Sequence, residues 1–203
     1  LHLHFLYSAF RTVPDSSDTL RYSIGAPRAT ASLTGRSTVA TMTPRLTPNA
    51  VLDFSKEAAR IGANDRPALL FKWWLAGRLT HRDLWAVITN VWMLAETPQQ
   101  ALGVATWVDL FRKVGFVADD PEIDQPLQPL TIFRGASWGH RRNMAWTSDF
   151  DQALWFAQRI LDDDRPRYVF RATVDPGAVL ALIGMEGGRN EREVVVEPSQ
   201  LPR

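Results

Sequence analysis

The sequence predicts an α+β protein, a helical subdomain followed by a strand-rich domain, and three observations carry that reading. Apolar residues recur at helical spacing between residues 47 and 115, in segments closed by Gly62, Gly77 and Gly115. Beyond Pro129 the pattern changes to short runs of strand length, of which 168–174 alternates most clearly. Between the two lies an acidic, proline-broken stretch at 119–129. Helices gathered first and strands afterwards fit α+β rather than the regular alternation of a parallel α/β sheet. The 203 residues then divide into a poorly structured leader (1–47), a helical subdomain (48–118), a linker (119–129) and the strand-rich domain (130–203), with no internal repeat.

Each element has its own signal. Thr47 followed by Pro48 reads as an N-cap with proline at the first helical position, and Val51, Leu52, Ala58, Ala59 and Ile61 supply the apolar stripe. A second helix runs over 67–76. Thr80 and Asp83 form a capping box for a third, whose Leu84, Val87, Ile88, Val91, Trp92 and Ala95 share a face. Thr97-Pro98 opens a fourth, continuing through Leu102, Ala105, Val108 and Phe111 to Gly115. In the second half, strands are expected at 130–133, 144–147, 168–174, 178–183 and 193–196. A helix is expected at 148–160, with Ala153, Phe156, Ala157 and Ile160 inward, and a glycine-containing loop at 184–190. Trp73, Trp74, Trp85, Trp92 and Trp107 at helical spacing read as core or as the seam between the halves, and Trp155 with Phe156 as helix-to-sheet packing.

Composition removes several function classes. A hydrophobic fraction of 45% and eight tryptophans are ample for a packed core. The formal net charge is +1 and the basic residues are scattered along the chain, which argues against a dedicated nucleic-acid surface. No apolar run approaches the length that crosses a bilayer, so no membrane partner is expected. The absence of cysteine excludes disulfides, thiolate nucleophiles and Cys–zinc sites and makes a cytoplasmic address the default. His81 and His140 lack companions at metal-ligand spacing, so no metal site is expected. The leader is rich in Ser, Thr and Arg, with Asp15 and Asp18 its only acids. Two origins fit it: an upstream extension, with translation beginning at Met42, or a transit peptide.

The candidate chemistry sits in three separated motifs. Glu191-Arg192-Glu193 runs straight into Val194-Val195-Val196, two acids at the mouth of a buried strand, where alternation would project both carboxylates to one face. Phe133-Arg134-Gly135 ends a short apolar strand, and Trp146-Thr147-Ser148 ends another. Each has a plainer reading. The acids suit a solvated strand entrance, Ser148 with Asp151 suits a helix cap, and Arg134 suits a surface ion pair with Asp149 or Asp151.

Taken in order and relative placement, these motifs resemble the ADP-ribosyltransferase fold, in its arginine–serine–glutamate branch shared by toxins of the cholera and clostridial type. The resemblance covers about residues 130–198, and uncharacterised actinobacterial and phage proteins carry similar domains. It implies a split-β domain that binds NAD as a substrate, without a metal, in a cleft between two small sheets. By that resemblance Arg134 would contact phosphate or ribose, Gly135 would let its backbone approach the nicotinamide amide, and Thr147 or Ser148 would position the catalytic acid. Glu193 would stabilise the charge that develops as the nicotinamide bond breaks, and Glu191 would activate the acceptor, with protein arginine favoured. Trp146 stands where the family has a serine and is a candidate for stacking on nicotinamide. Water as acceptor would make the protein an NAD glycohydrolase. The alternative from another class is an inactive binding module retaining the fold, its helical half docking a partner.

Overall fold

The computed structural model describes residues 49–159, 166–184 and 192–202. The expectations for the leader, for Glu191 and for most of the loop at 184–190 lie outside these residues. The described residues hold six α-helices and one six-stranded mixed sheet.

Five helices come first: α1 (Ala50–Ala58), α2 (Arg66–Leu75), α3 (His81–Leu94), α4 (Pro98–Leu102) and α5 (Val104–Val114). The capping box expected at Thr80 is formed. The Asp83 N–H donates to the Thr80 hydroxyl at 3.1 Å, and the Thr80 N–H donates to the Asp83 carboxylate at 2.9 Å. The pattern read as one helix through 98–115 is two, because Gly103 sits at φ 77° and breaks the helical hydrogen bonding. None of the described helices is long and apolar enough to cross a membrane.

The strands follow: β1 (Val117–Ala118), β2 (Leu130–Ser137), β3 (Ala145–Thr147), β4 (Arg167–Val174), β5 (Val179–Ile183) and β6 (Glu193–Val196), with α6 (Phe150–Gln158) between β3 and β4. Their order is β1-β5-β6-β3-β2-β4, with β1 parallel to β5 and every other pair antiparallel. Two residues long, β1 carries no sequence period of its own and was not foreseen.

Burial on both faces of β6 explains its Val-Val-Val run. Val195 belongs to a cluster with Phe54, Trp73, Trp92, Trp107 and Phe111, whereas Val194 and Val196 join a second cluster with Ile132, Trp146 and Leu182. The first cluster also takes in Val117, Ala181 and Ile183, so helices and sheet share one core. Its centre is a set of fully buried rings: Trp92 meets Trp107 edge-on at 5.0 Å and Phe111 at 5.6 Å. Each such ring contributes roughly 2–3 kcal/mol by burial. Trp85 and Trp155 depart from expectation, being 43% and 54% exposed, because each lies on the outer face of its helix.

The chain beyond β6 is tied back to the helices. Arg112 of α5 pairs with the Glu197 carboxylate, which also accepts from the Ser199 hydroxyl at 2.6 Å. The serine hydrogen bond does most to hold the Glu197 carboxyl below its ordinary value; burial opposes it, and the hydrogen bond and charge of Arg112 add to the lowering. A depressed folded-state pKa adds stability above the unfolded carboxylate range and loses it as pH falls through the folded value. Solvent screens this half-exposed pair, so Glu197→Gln should lower unfolding stability at pH 7 by only about 1 kcal/mol. Urea titrations of both proteins should show that difference closing as the pH is taken below 4.5, the ordinary Glu value.

Candidate active site

Antiparallel registration brings the three sequence motifs onto neighbouring strands. Thr147 pairs with Glu193 across β3 and β6, Ile183 pairs with Glu193 across β5 and β6, and Phe133 pairs with Thr147 across β2 and β3. Directly paired residues share a face, so Phe133, Thr147, Glu193 and Ile183 form one row across four strands. Arg134 is one residue further along β2, and Trp146 one residue back along β3.

Glu193 is half-buried at the first position of β6. The Trp92 indole N–H, from the middle of α3, donates to its Oε1 at 2.8 Å. Trp92 was expected only as core. Its sequence signal is an apolar helical position, and nothing local reveals a partner 101 residues away.

The sheet narrows beside this acid. β2 and β4 are joined by eight registered pairs, whereas β2 and β3 share only Phe133 with Thr147. Where β2 and β3 diverge, the Arg134 guanidinium spans the gap. It donates through Nε to the His140 carbonyl at 2.9 Å and through Nη1 to the Ala145 carbonyl. These bonds use two of the guanidinium's five N–H donors. Burial pushes the Arg134 pKa down to about 10, and the neighbouring charge of Glu193 pulls it back up. The surface ion pair with Asp149 or Asp151 is therefore not the arrangement adopted.

Thr147 is buried, and its Oγ1 accepts the Asp149 N–H at 3.0 Å. Ser148 does not cap the following helix. Asp149 is the N-cap of α6, its carboxylate accepting from the N–H groups of Asp151 at 2.8 Å and Gln152 at 3.2 Å. A carboxylate also suits the positive end of the helix better than a hydroxyl. Ser148 instead donates its N–H to the Arg192 carbonyl at 3.1 Å, extending the β3–β6 pairing towards the acids.

Two expectations change. Trp146 is only 6% exposed, packs into the second core cluster and donates its indole N–H to the Asn143 carbonyl at 2.8 Å. It is a core residue there, not a stacking platform. Gly135 is required by packing: a Cβ at that position would lie 2.0 Å from the Ala153 carbonyl oxygen and 2.5 Å from the Ala157 nitrogen, both in the backbone of α6. Its missing side chain is used to bring β2 against a helix. Arg192 has φ 45°, a left-handed conformation costly for a residue with a Cβ, and the extended strand begins at Glu193. The expected common face of Glu191 and Glu193 involves Glu191, which lies outside the described residues.

The described residues gather no group of three or more His, Asp or Glu side chains suited to a metal ion. Comparison of the chain with protein-family models, with curated proteins and with solved structures gave no match.

Two outcomes follow from this geometry. Gly135→Ala should cost about 3 kcal/mol, because the obstructing atoms are backbone and α6 must move off β2; chemical unfolding measures it. A double-mutant cycle of Trp92→Phe with Glu193→Gln should return a coupling of about 1–2 kcal/mol, since the indole N–H binds a partly buried carboxylate. Additive effects would show that the hydrogen bond contributes nothing.

Proposed function

We propose that this chain is a mono-ADP-ribosyltransferase-like enzyme that cleaves the nicotinamide–ribose bond of NAD and transfers ADP-ribose to an acceptor, protein arginine being favoured. The observation that supports it best is the half-buried Glu193 at the leading end of β6, in register with Thr147 and within electrostatic reach of Arg134 where β2 and β3 part. An acid, an arginine and a hydroxyl residue from three distant motifs on adjacent strands are what the resemblance requires.

In this reading Glu193 stabilises positive charge building on the ribose carbon as the glycosidic bond breaks and its electron pair leaves with nicotinamide. Trp92 fixes one carboxylate oxygen and so orients the acid. Arg134 has three N–H donors beyond its two carbonyl bonds, enough for a phosphate or a ribose hydroxyl. Glu191 takes a proton from the acceptor guanidinium, which is a poor nucleophile while protonated. With water as acceptor the same first step makes an NAD glycohydrolase.

A specific observation favours the second reading, a binding module without turnover. Arg134 is committed in part to the His140 and Ala145 carbonyls, and Trp146 occupies a core position where the family has a hydroxyl. Nicotinamide release from labelled NAD decides between them. Glu193→Gln should reduce release at least 100-fold, whereas Glu191→Gln should abolish transfer to arginine and spare hydrolysis. Release unchanged by Glu193→Gln would sink the catalytic assignment. Absence of release together with no NAD-induced rise in Tm would favour the binding module.

A further inference from the structure

We infer that Arg192 is a positioning residue for Glu193, acting through its backbone conformation and its ion pair with Asp149; this rests on the reading of Glu193 as the catalytic acid. Glycine takes a positive φ freely, whereas a residue with a Cβ does so at a cost. Among the described residues Arg192, at φ 45°, is the one non-glycine residue in that region. Such a conformation persists only where its surroundings over-determine it, and residues of this kind gather at functional sites. This one directly precedes the acid.

Three neighbours hold it. The Arg192 N–H donates to the Gly184 carbonyl at 3.2 Å, just past the end of β5, and the Arg192 carbonyl accepts the Ser148 N–H at 3.1 Å, just past the end of β3. These bonds carry the pairing on both sides of β6 one residue beyond the registered pairs of Glu193 with Ile183 and Thr147. The third contact is made by the side chain, with Arg192 Nη1 3.8 Å from Asp149 Oδ2. Asp149 divides its carboxylate: Oδ1 accepts the two N–H groups that cap α6, while Oδ2 faces the arginine. The Asp149 N–H in turn donates to Oγ1 of Thr147, the strand partner of Glu193. A closed circuit results, from Glu193 across to Thr147, on to Asp149 and back through Arg192.

Stability does not account for this side chain. The pair with Asp149 is loose and Arg192 is half-exposed, so water screens it and it contributes little to folding. Glycine at 192 would remove the backbone cost and forfeit only that small gain. It would also lift the restriction on direction, since glycine can leave the left-handed region for many others. Trp92 holds Glu193 by one carboxylate oxygen, and Arg192 fixes the backbone from which the same side chain projects. Catalysis is sensitive to small displacements of a reacting group, so that second restraint has a use that folding lacks.

The Trp92 indole N–H reports the placement of Glu193 without any reaction, because it donates to that carboxylate. Its NMR resonance in the full chain is identified as the one missing from Trp92→Phe. In Arg192→Gly the resonance should move towards its position in Glu193→Gln, while Tm stays equal or rises. Nicotinamide release from NAD should fall about tenfold in kcat with KM little changed, because a misplaced acid is felt in the chemical step. Asp149→Asn, which keeps a good helix cap, should do the same, and Arg192→Lys, which keeps the charge, should recover most of the rate. A resonance unmoved in both Arg192→Gly and Asp149→Asn would overturn the inference. So would a raised KM at unchanged kcat, which makes Arg192 a substrate contact, or a moved resonance with kcat unchanged. In a wild type that releases no nicotinamide the reading of NAD cleavage fails, and the resonance alone then decides whether Arg192 places Glu193.

Discussion

The hydrogen bond from Trp92 to Glu193 is the interaction on which the arrangement turns. A carboxylate at the head of a strand whose next three residues are fully buried needs a partner or it forfeits several kcal/mol of solvation. That partner comes from the helical half of the chain, from the centre of the ring cluster formed by Trp92, Trp107 and Phe111. The indole can make this bond only where the cluster holds it, and the cluster is completed by Ile183 and Val195 of the sheet. The core that stabilises the fold and the bond that orients the acid are therefore the same piece of packing.

A second constraint is the single registered pair between β2 and β3. A sheet joined so narrowly leaves backbone groups unsatisfied where its strands part, and the Arg134 guanidinium answers part of that need at Ala145. The 138–140 turn is held by the same side chain through His140 and by Arg141 through Trp138. Arg142 reaches instead to the carbonyls of Pro198 at 3.0 Å and Leu201 at 2.8 Å. Arg134 and Arg141 thus brace this single 3-10 turn, and Arg142 ties the segment after it to the end of the chain.

Where local physics decides, the sequence was readable. The capping box at Thr80, the apolar period of α3 and the β6 triplet each specify their element from a handful of neighbours. The order of helices before strands was legible for the same reason. The errors share a different origin. Gly103 splits a helix because of its backbone angle, and Trp85 and Trp155 face solvent because tertiary packing chooses which stripe is buried. Gly135 was read as a ligand contact because its signal, a missing Cβ, is the same whether a ligand or a helix fills the space. Of the candidate site, Arg134, Thr147 and Glu193 do converge on neighbouring strands. Trp92 was invisible because a hydrogen bond across 101 residues leaves no periodic trace.

The burial of Arg134 bears on the phosphate contact proposed for it. Two backbone carbonyls can be satisfied by an uncharged amide, which carries two donors and no desolvation penalty of this size. The guanidinium is instead held in a setting that lowers its pKa to about 10, a penalty that Glu193 offsets in part. In the proposed reading that charge serves a phosphate, because a cation already desolvated by the fold loses little more on binding one. Glu193 thus favours the charged form of the arginine while Trp92 holds one oxygen of the acid.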